Sequence, residues 1–261
     1  MKKALSIVLA ALMLICMTAI PVLASENTAP TAYVTIVDEN GAFALVEKEV
    51  PCADQNGDTV VTIDEMLYTA HSLYYTGGAE AGYASEETAY GLSLTKLWGN
   101  ENGAYGYFIN NASAWSLADE VKPSDHIYAF VYTDTATWSD TYCFFNKTHV
   151  TAEKGEIATL TLKMAGYDEN YAPISLPVEG AVITINGEKT DLVTNANGEV
   201  AITYDKAGEL LISATHDDLN LTPPVLVATV EGGVSGVFIA VIVIMVLLVS
   251  GTVVFIVWKK R

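Results

Sequence analysis

The pattern of apolar and polar positions changes period several times along this chain, and each change predicts a different element. Apolar and polar residues alternate over 32–37 and again over 42–50, with an Asn-Gly turn between them, which predicts a β-hairpin. From Ile63 to Tyr74 the apolar residues recur every three or four positions, which predicts one face of a helix. Alternation returns over 126–133 and predicts another strand.

Three more strands are predicted in the first domain. The segments 93–98 and 104–110 flank a glycine-rich turn and are predicted to form a second hairpin, and 141–146 is predicted to be the last strand of this unit. Residues 76–92 are too rich in glycine and alanine to be assigned. We therefore expect a first domain of mixed helix and strand over 30–149.

Beyond residue 150 the predicted strands are short, and turn signals such as Asn-Gly recur between them. This regular spacing is typical of an antiparallel sandwich, which we expect over 150–230. Its strands are predicted at 157–164, 181–185, 190–194, 199–204, 209–215 and 225–230.

Both ends of the chain carry apolar runs with targeting features. Two lysines precede the first run and small residues end it, so 1–24 is predicted to be a secretory signal peptide. The run 234–258 has no charged residue and is long enough to span a bilayer as a single transmembrane helix. Three cations at 259–261 follow it and belong on the cytoplasmic side. We expect a single-pass cell-membrane protein with an extracellular N-terminal ectodomain and a short cytoplasmic tail.

The ectodomain between these two runs is strongly acidic. It holds all 31 Asp and Glu but only 8 of the 13 Lys and Arg, which gives a net charge of −23 at pH 7. A surface of this sign repels nucleic acid and anionic membrane surfaces, and it favours solubility or cation binding. We expect no nucleic-acid partner.

Two cysteines, Cys52 and Cys143, remain once the signal peptide is removed. An extracellular location and an even number permit a disulfide between them. Two buried free thiols are the other interpretation, and spacing does not decide between the two.

The stretch between Asp54 and Glu65 has oxygen-bearing residues at the spacing of an EF-hand calcium loop. Calcium takes six to eight oxygen ligands, with a bidentate carboxylate at the twelfth position. The expected ligands are Asp54, Asn56, Asp58, the backbone carbonyl of Val60, Thr62 and Glu65. Thr59 departs from the pattern, because the sixth position normally needs the left-handed backbone that glycine adopts easily. The alternative interpretation is an acidic, solvated turn that opens the helix.

Several aromatic residues fall near predicted loops and hairpin ends. Flat aromatic faces in such places suit sugars, planar ligands or protein partners. The candidates for a ligand-binding patch are Trp98, Tyr105, Tyr107, Trp115 and Trp138. The alternative is that most of them are core or strand-pairing residues.

The sequence carries no recognisable catalytic motif. The four histidines are scattered, with none of the short spacings that mark a zinc site. Neither a nucleophile elbow nor a phosphate-binding loop occurs. We therefore expect that the protein is not an enzyme.

The first domain resembles the transcobalamin-like C-terminal domain family of secreted bacterial proteins. The resemblance rests on the strand–turn–strand opening, the loop and helix over 54–71, the strand around 128–132, and most specifically on Tyr105-Gly-Tyr-Phe-Ile-Asn-Asn111. It implies an α+β, β-grasp-like unit. Since a related domain covers one face of the corrinoid in vertebrate cobalamin carriers, it also makes cobalamin a candidate ligand.

The second domain resembles bacterial Ig-like and carboxypeptidase-regulatory-like sandwich repeats. The resemblance rests on Val178-Glu-Gly-Ala-Val-Ile-Thr-Ile-Asn-Gly187 and on Thr194-Asn-Ala-Asn-Gly-Glu-Val200. Modules of this kind usually act as stalks or spacers.

Together these features predict an α+β β-grasp-like domain followed by an all-β Ig-like sandwich, with a C-terminal single transmembrane helix. The predicted function is a membrane-anchored extracellular surface binding protein with a structural calcium site and an unidentified ligand. One alternative is a cobalamin-capturing surface module. Another is a structural adhesin or envelope protein with no small ligand.

Overall fold

The computed structural model describes residues 29–101 and 103–232, and this part of the chain consists mainly of β-strands. The predicted signal peptide (1–24), transmembrane helix (234–258) and basic tail (259–261) lie outside the described residues. Within the described ranges, no helix combines the length and the apolar character needed to cross a membrane.

The first part of the structure contains nine elements. These are β1 (Thr31–Val37), β2 (Phe43–Pro51), α1 (Ile63–Tyr74), α2 (Gly78–Gly82), β3 (Ala84–Thr88), β4 (Gly91–Lys96), β5 (Tyr105–Ile109), β6 (Ala112–Ser113) and β7 (His126–Val131).

The second part contains strands only. These are β8 (Cys143–Phe145), β9 (His149–Glu153), β10 (Ile157–Tyr167), β11 (Pro173–Pro177), β12 (Val182–Ile185), β13 (Glu188–Val193), β14 (Glu199–Thr203), β15 (Gly208–Thr215) and β16 (Leu226–Glu231).

A five-stranded sheet in the order β2-β1-β7-β5-β6 forms the centre of the first part. Strands β1 and β7 run parallel, and the other neighbours are antiparallel. Side chains alternate between the two faces of a strand. One face of β1 and β7 therefore packs with helix α1 in the first core. The residues on this face include Val34, Ile36, Ile127 and Ala129. The opposite face of the same strands meets the second part of the structure.

Helix α1 begins where its sequence predicts. Thr62 is the N-cap and forms a capping box with Glu65, which satisfies N–H groups that the first turn leaves unpaired. Ile63, Met66 and Leu67 are fully buried against the sheet. The helix is thus held both by its cap and by its apolar face.

The predicted hairpin between 93–98 and 104–110 is wrong. Strand β4 pairs instead with β3, and β5 pairs with β7 and β6. The partner of β4 lies within 76–92, the segment whose glycine and alanine content hid a short helix and a strand. Strand β5 is interior to the sheet because it pairs with β7 on one side and β6 on the other, and apolar residues lie on both of its faces.

The second part is a sandwich of two sheets around a separate core. One sheet has the order β11-β10-β14, with β8 also pairing with β10, and the other has the order β13-β12-β15-β16-β9. Tyr204, Phe145, Leu160 and Ile183 are among the buried residues between them. The predicted strands of this region are confirmed. The strand at 141–146, assigned from the sequence to the first unit, belongs by its pairing to the sandwich.

A small aromatic cluster connects the sheet of the first part with the start of the second. Tyr142 stacks on Phe108 with ring centroids 3.6 Å apart and contacts Tyr128 edge-on at 5.1 Å. The Tyr128 hydroxyl donates to the carbonyl of Pro223 at 2.8 Å. Because these residues are buried and hydrogen-bonded across the junction, the two parts pack directly against each other here.

Cys52 and Cys143 are both free thiols, so the disulfide that the sequence permitted is not formed. Cys52 is half-buried against the first core, whereas Cys143 is buried in the second core and donates to the carbonyl of Thr222 at 3.0 Å. Burial raises the pKa of both thiols. The free-thiol interpretation is the one that the structure supports.

Candidate functional sites

The predicted calcium loop turns its side-chain oxygens inward onto its own backbone. Asp54 accepts hydrogen bonds from the N–H groups of Gly57 and Thr59 at 2.7 and 2.8 Å. Asn56 accepts from the N–H of Asp58 at 2.8 Å. The N–H groups of Thr59 and Gly57, in that order of effect, lower the pKa of the Asp54 carboxyl, which keeps it ionised.

The far end of the loop is closed by Glu65, the only member of the predicted ligand set that is buried. One carboxylate oxygen accepts the N–H of Gln55 at 2.8 Å, and the other accepts the N–H of Thr62 at 3.0 Å. Glu65 therefore joins the start of the loop to the first turn of α1. This is the place where a bidentate twelfth ligand is required.

Thr59 adopts the conformation that the sixth position requires. Its φ is +75°, in the left-handed region that is costly for a β-branched residue. Gly57 also has a positive φ, +80°. The backbone therefore follows the expected turn although the residue type departs from the pattern.

The six predicted ligands thus lie around one turn, with Asp54, Asn56 and Asp58 exposed and Glu65 buried. A depression of about 470 Å³ lies over the loop and is lined by Asn56, Asp58 and Glu65 among others. A carboxylate has about four acceptor positions, so the internal hydrogen bonds leave lone pairs free for a cation. The donor set consists of oxygens only, which suits calcium.

Three of the five predicted aromatic ligand residues pack against the first core. Trp98, Tyr105 and Tyr107 are partly buried there. The Tyr105 hydroxyl donates to the carbonyl of Asn100 at 2.7 Å, and the Trp98 ring lies 5.1 Å from that of His71. This packing fits the core interpretation, but Tyr105 and Tyr107 also line the groove described below.

Trp115 and Trp138 are exposed, with 92% and 57% of their surfaces accessible. The Trp138 ring packs edge-on against Tyr132 at 5.0 Å. The five residues do not form one patch. Trp138 contacts Tyr132, an aromatic residue of the groove described next.

A groove of about 700 Å³ lies between the first sheet and the β10–β11 hairpin of the sandwich. Its aromatic lining includes Phe108, Tyr132, Tyr142 and Tyr167. Tyr167 is 63% exposed, so part of this lining is open to solvent. A concave surface with several aromatic rings is a common setting for ligand binding.

Of the residues that line the groove, Tyr105 and Tyr107 were singled out from the sequence, and the others were not because the groove is built by distant segments. Alternation along β5 and β7 does separate Phe108 from Tyr107, its neighbour on the opposite face. Local spacing does not show that the sandwich residue Tyr167 lines the same groove.

No protein-family model matches the chain, so neither resemblance inferred for 30–149 and 150–230 has a family match behind it. No curated protein matches either. Among solved structures, the D0-D1 domain of Intimin is similar over 56% of this chain and 76% of that chain, with 16% identity and a TM-score of 0.25. At this level of superposition the likeness says nothing about function.

Proposed function

We propose that this chain is an extracellular, membrane-anchored surface binding protein in which calcium stabilises the first domain. That domain is α+β and β-grasp-like, and the Ig-like sandwich holds it away from the membrane. The anchor is the apolar run 234–258, and the acidic ectodomain lies outside the cell. The observation that carries the proposal is the aromatic groove at the junction of the two parts.

The groove suits a ligand with flat, partly apolar faces. Phe108 and Tyr142 form a stacked pair in its lining, and the partly exposed Tyr132 and the exposed Tyr167 offer further ring surface. Aromatic rings contribute large contact areas and tyrosine adds a polar hydroxyl, which together suit sugar rings or a planar ligand such as a corrinoid. An acidic surface disfavours anionic ligands.

Calcium has a structural role in this proposal. The loop leads directly into α1, whose apolar face covers the first sheet, so a cation bound by Asp54, Asn56, Asp58, Val60, Thr62 and Glu65 fixes the start of that helix. The loop and the groove are lined by different residues. We therefore expect calcium to raise stability rather than to bind the ligand itself.

The test is a binding experiment on the purified full-length chain with two defined probes. One probe is cyanocobalamin, followed by its visible absorbance after desalting, and the other is a panel of soluble oligosaccharides, followed by Trp fluorescence. We expect one probe class to bind saturably. The variant Tyr167→Ala should weaken that binding about tenfold, because it removes an exposed ring of the groove.

Tyr171→Ala is the matched control. Tyr171 is also an exposed tyrosine, 87% accessible, and it lies in the turn that follows β10, outside the groove lining. The Tyr171→Ala variant should bind the probe with the affinity of the wild type. If neither probe binds, or if Tyr167→Ala and Tyr171→Ala behave alike, the groove is not a ligand site, and the structural adhesin without a small ligand becomes the better account.

A further inference from the structure

Three side chains that could bind a metal converge where the first sheet meets the sandwich. Glu47 lies in β2, His126 is the first residue of β7, and His149 is the first residue of β9. One ligand atom from each lies within 4.8 Å of the other two. In the described residues, no other three His, Cys, Asp or Glu side chains bring their ligand atoms this close together. The carboxylates of the predicted calcium loop do not form such a group.

Glu47 is held firmly in this position. Its side chain is only 3% exposed, and its backbone has a φ of +42° beside an irregular register between β1 and β2. The Thr35 hydroxyl donates to Oε1 at 2.9 Å and accepts the N–H of Glu47 at 3.1 Å. A buried carboxylate is costly unless it is paired, and Oε2 meets Nδ1 of His126 at 2.6 Å.

The two imidazole rings are oriented by one tyrosine. Tyr33 stacks on His126 with ring centroids 4.7 Å apart and contacts His149 at 4.9 Å. Nδ1 of His149 lies 3.8 Å from Oε2 of Glu47, and 40% of its side chain is exposed. The cluster is therefore buried on the Glu47 side and open to solvent on the His149 side, which gives an ion a path of entry.

We propose that Glu47, His126 and His149 bind one zinc ion that links the first sheet to the sandwich. Imidazole nitrogen with one carboxylate is a ligand set for zinc and related transition metals rather than for calcium. Tetrahedral zinc holds its ligand atoms about 3.3–3.5 Å apart. The 2.6 and 3.8 Å separations from Glu47 Oε2 bracket this value, so small side-chain movements complete the geometry.

The surroundings supply the remaining features of a metal site. Thr35 is the outer hydrogen-bond partner of Glu47, and the Thr148 hydroxyl lies 3.4 Å from Nε2 of His126. Such partners fix ligand orientation. A three-residue zinc site takes water as its fourth ligand, and solvent reaches this cluster on the exposed His149 side.

The competing account is a metal-free hydrogen-bonded group in which Glu47 simply pairs with His126. The two accounts differ at His149, because the Glu47–His126 pair does not need that residue. His149 is also partly exposed, so its removal leaves the buried pair and the fold in place.

The test titrates zinc into the EDTA-treated full-length chain by calorimetry and records the visible spectrum with cobalt. The wild type should bind one zinc and give the intense bands of tetrahedral cobalt. His149→Ala should bind zinc at least about 100-fold more weakly, since it loses one of three protein ligands. Thr151→Ala, an exposed change on the same strand, is the matched control and should bind like the wild type.

Glu65→Gln in the calcium loop should leave zinc binding unchanged, which separates the two sites. Absence of saturable zinc binding to the wild type would overturn the proposal. Equal zinc affinity in His149→Ala and Thr151→Ala would overturn it as well, because the zinc would then bind elsewhere.

Discussion

The backbone N–H of Thr59 donates to Oδ2 of Asp54 at 2.8 Å, from a left-handed backbone with φ of +75°. A threonine in this conformation is strained, because its branched Cβ lies close to the backbone. The bond to Asp54 closes the loop across the sixth position. The loop therefore keeps the left-handed turn that the EF-hand pattern expects at its sixth position, at a cost in backbone conformational energy.

Replacing Thr59 by glycine should relieve this strain. We expect Thr59→Gly to raise the free energy of unfolding of the calcium-bound protein by about 1 kcal/mol and to tighten calcium binding, since glycine adopts positive φ readily. Gly57→Ala is the paired change, because Gly57 has a φ of +80° and an added Cβ has open space around it. It should weaken calcium binding through backbone strain alone. Thermal denaturation and calorimetry with calcium measure both effects.

The candidate calcium loop could be identified from the sequence because its predicted ligands lie close together in the chain and a helix follows at the expected distance. The conformation of Thr59 could not be predicted, since residue type alone argued against it. Local hydrogen bonds to Asp54 decided the backbone instead.

His71 is a fully buried histidine inside the first core. Its Nε2 accepts the N–H of Trp98 at 3.0 Å, so Nδ1 carries the proton and donates to the carbonyl of Leu67 at 2.6 Å. Burial lowers the pKa of His71 to about 4 from its ordinary value of 6.5. The folded protein therefore holds this side chain neutral.

This arrangement predicts a loss of stability in acid. Between pH 6.5 and about 4 the unfolded chain binds a proton at His71 that the folded chain does not, so stability falls as pH falls through this window. Across this window, protonation of His71 in the unfolded chain lowers the free energy of unfolding by about 3 kcal/mol in total. His71→Gln should reduce the slope of unfolding free energy against pH there, measured by denaturant unfolding. His216→Gln, a change outside this core, should keep the wild-type slope, and equal slopes for all three proteins would contradict the assignment.

Gly106 lies opposite Phe130 in neighbouring strands, and the Phe130 ring covers it. A Cβ at this position would overlap that ring, which is buried in the aromatic cluster at the junction. We expect Gly106→Ala to lower the free energy of unfolding by about 1–3 kcal/mol through overpacking. In a Phe130→Leu background the same change should cost less, and denaturant unfolding of the four proteins measures the difference. Strict additivity would contradict the contact.

The sequence predicted the sandwich strands well because their turns carry strong local signals, such as Asn186-Gly187 between β12 and β13. It failed for the partner of β4, because that strand lies in a glycine- and alanine-rich segment with little periodicity. Pairings between distant segments depend on which faces are buried, and this information is absent from local spacing.

The Glu47–His126–His149 cluster could not be predicted from the sequence for the same reason. Glu47, His126 and His149 are far apart in the chain, so no short spacing connects them, and the scattered histidines argued against a zinc site. The alternation of β1 and β7 places Tyr33, Thr35 and His126 on one face. Only the packing of the sandwich against that face brings in His149.

The central claim of this account is that the 54–65 loop binds calcium and thereby stabilises the first domain. The most direct measurement is calorimetry of the full-length chain with calcium, repeated with Glu65→Gln and with Glu80→Gln, an exposed carboxylate outside the loop. For the wild type and for Glu80→Gln, we predict one calcium bound per chain with a dissociation constant between about 10⁻⁶ and 10⁻³ M. Added calcium should also raise the melting temperature of both proteins. Binding should be lost in Glu65→Gln. No heat and no thermal shift in the wild type, or equal binding in Glu65→Gln, would contradict the claim.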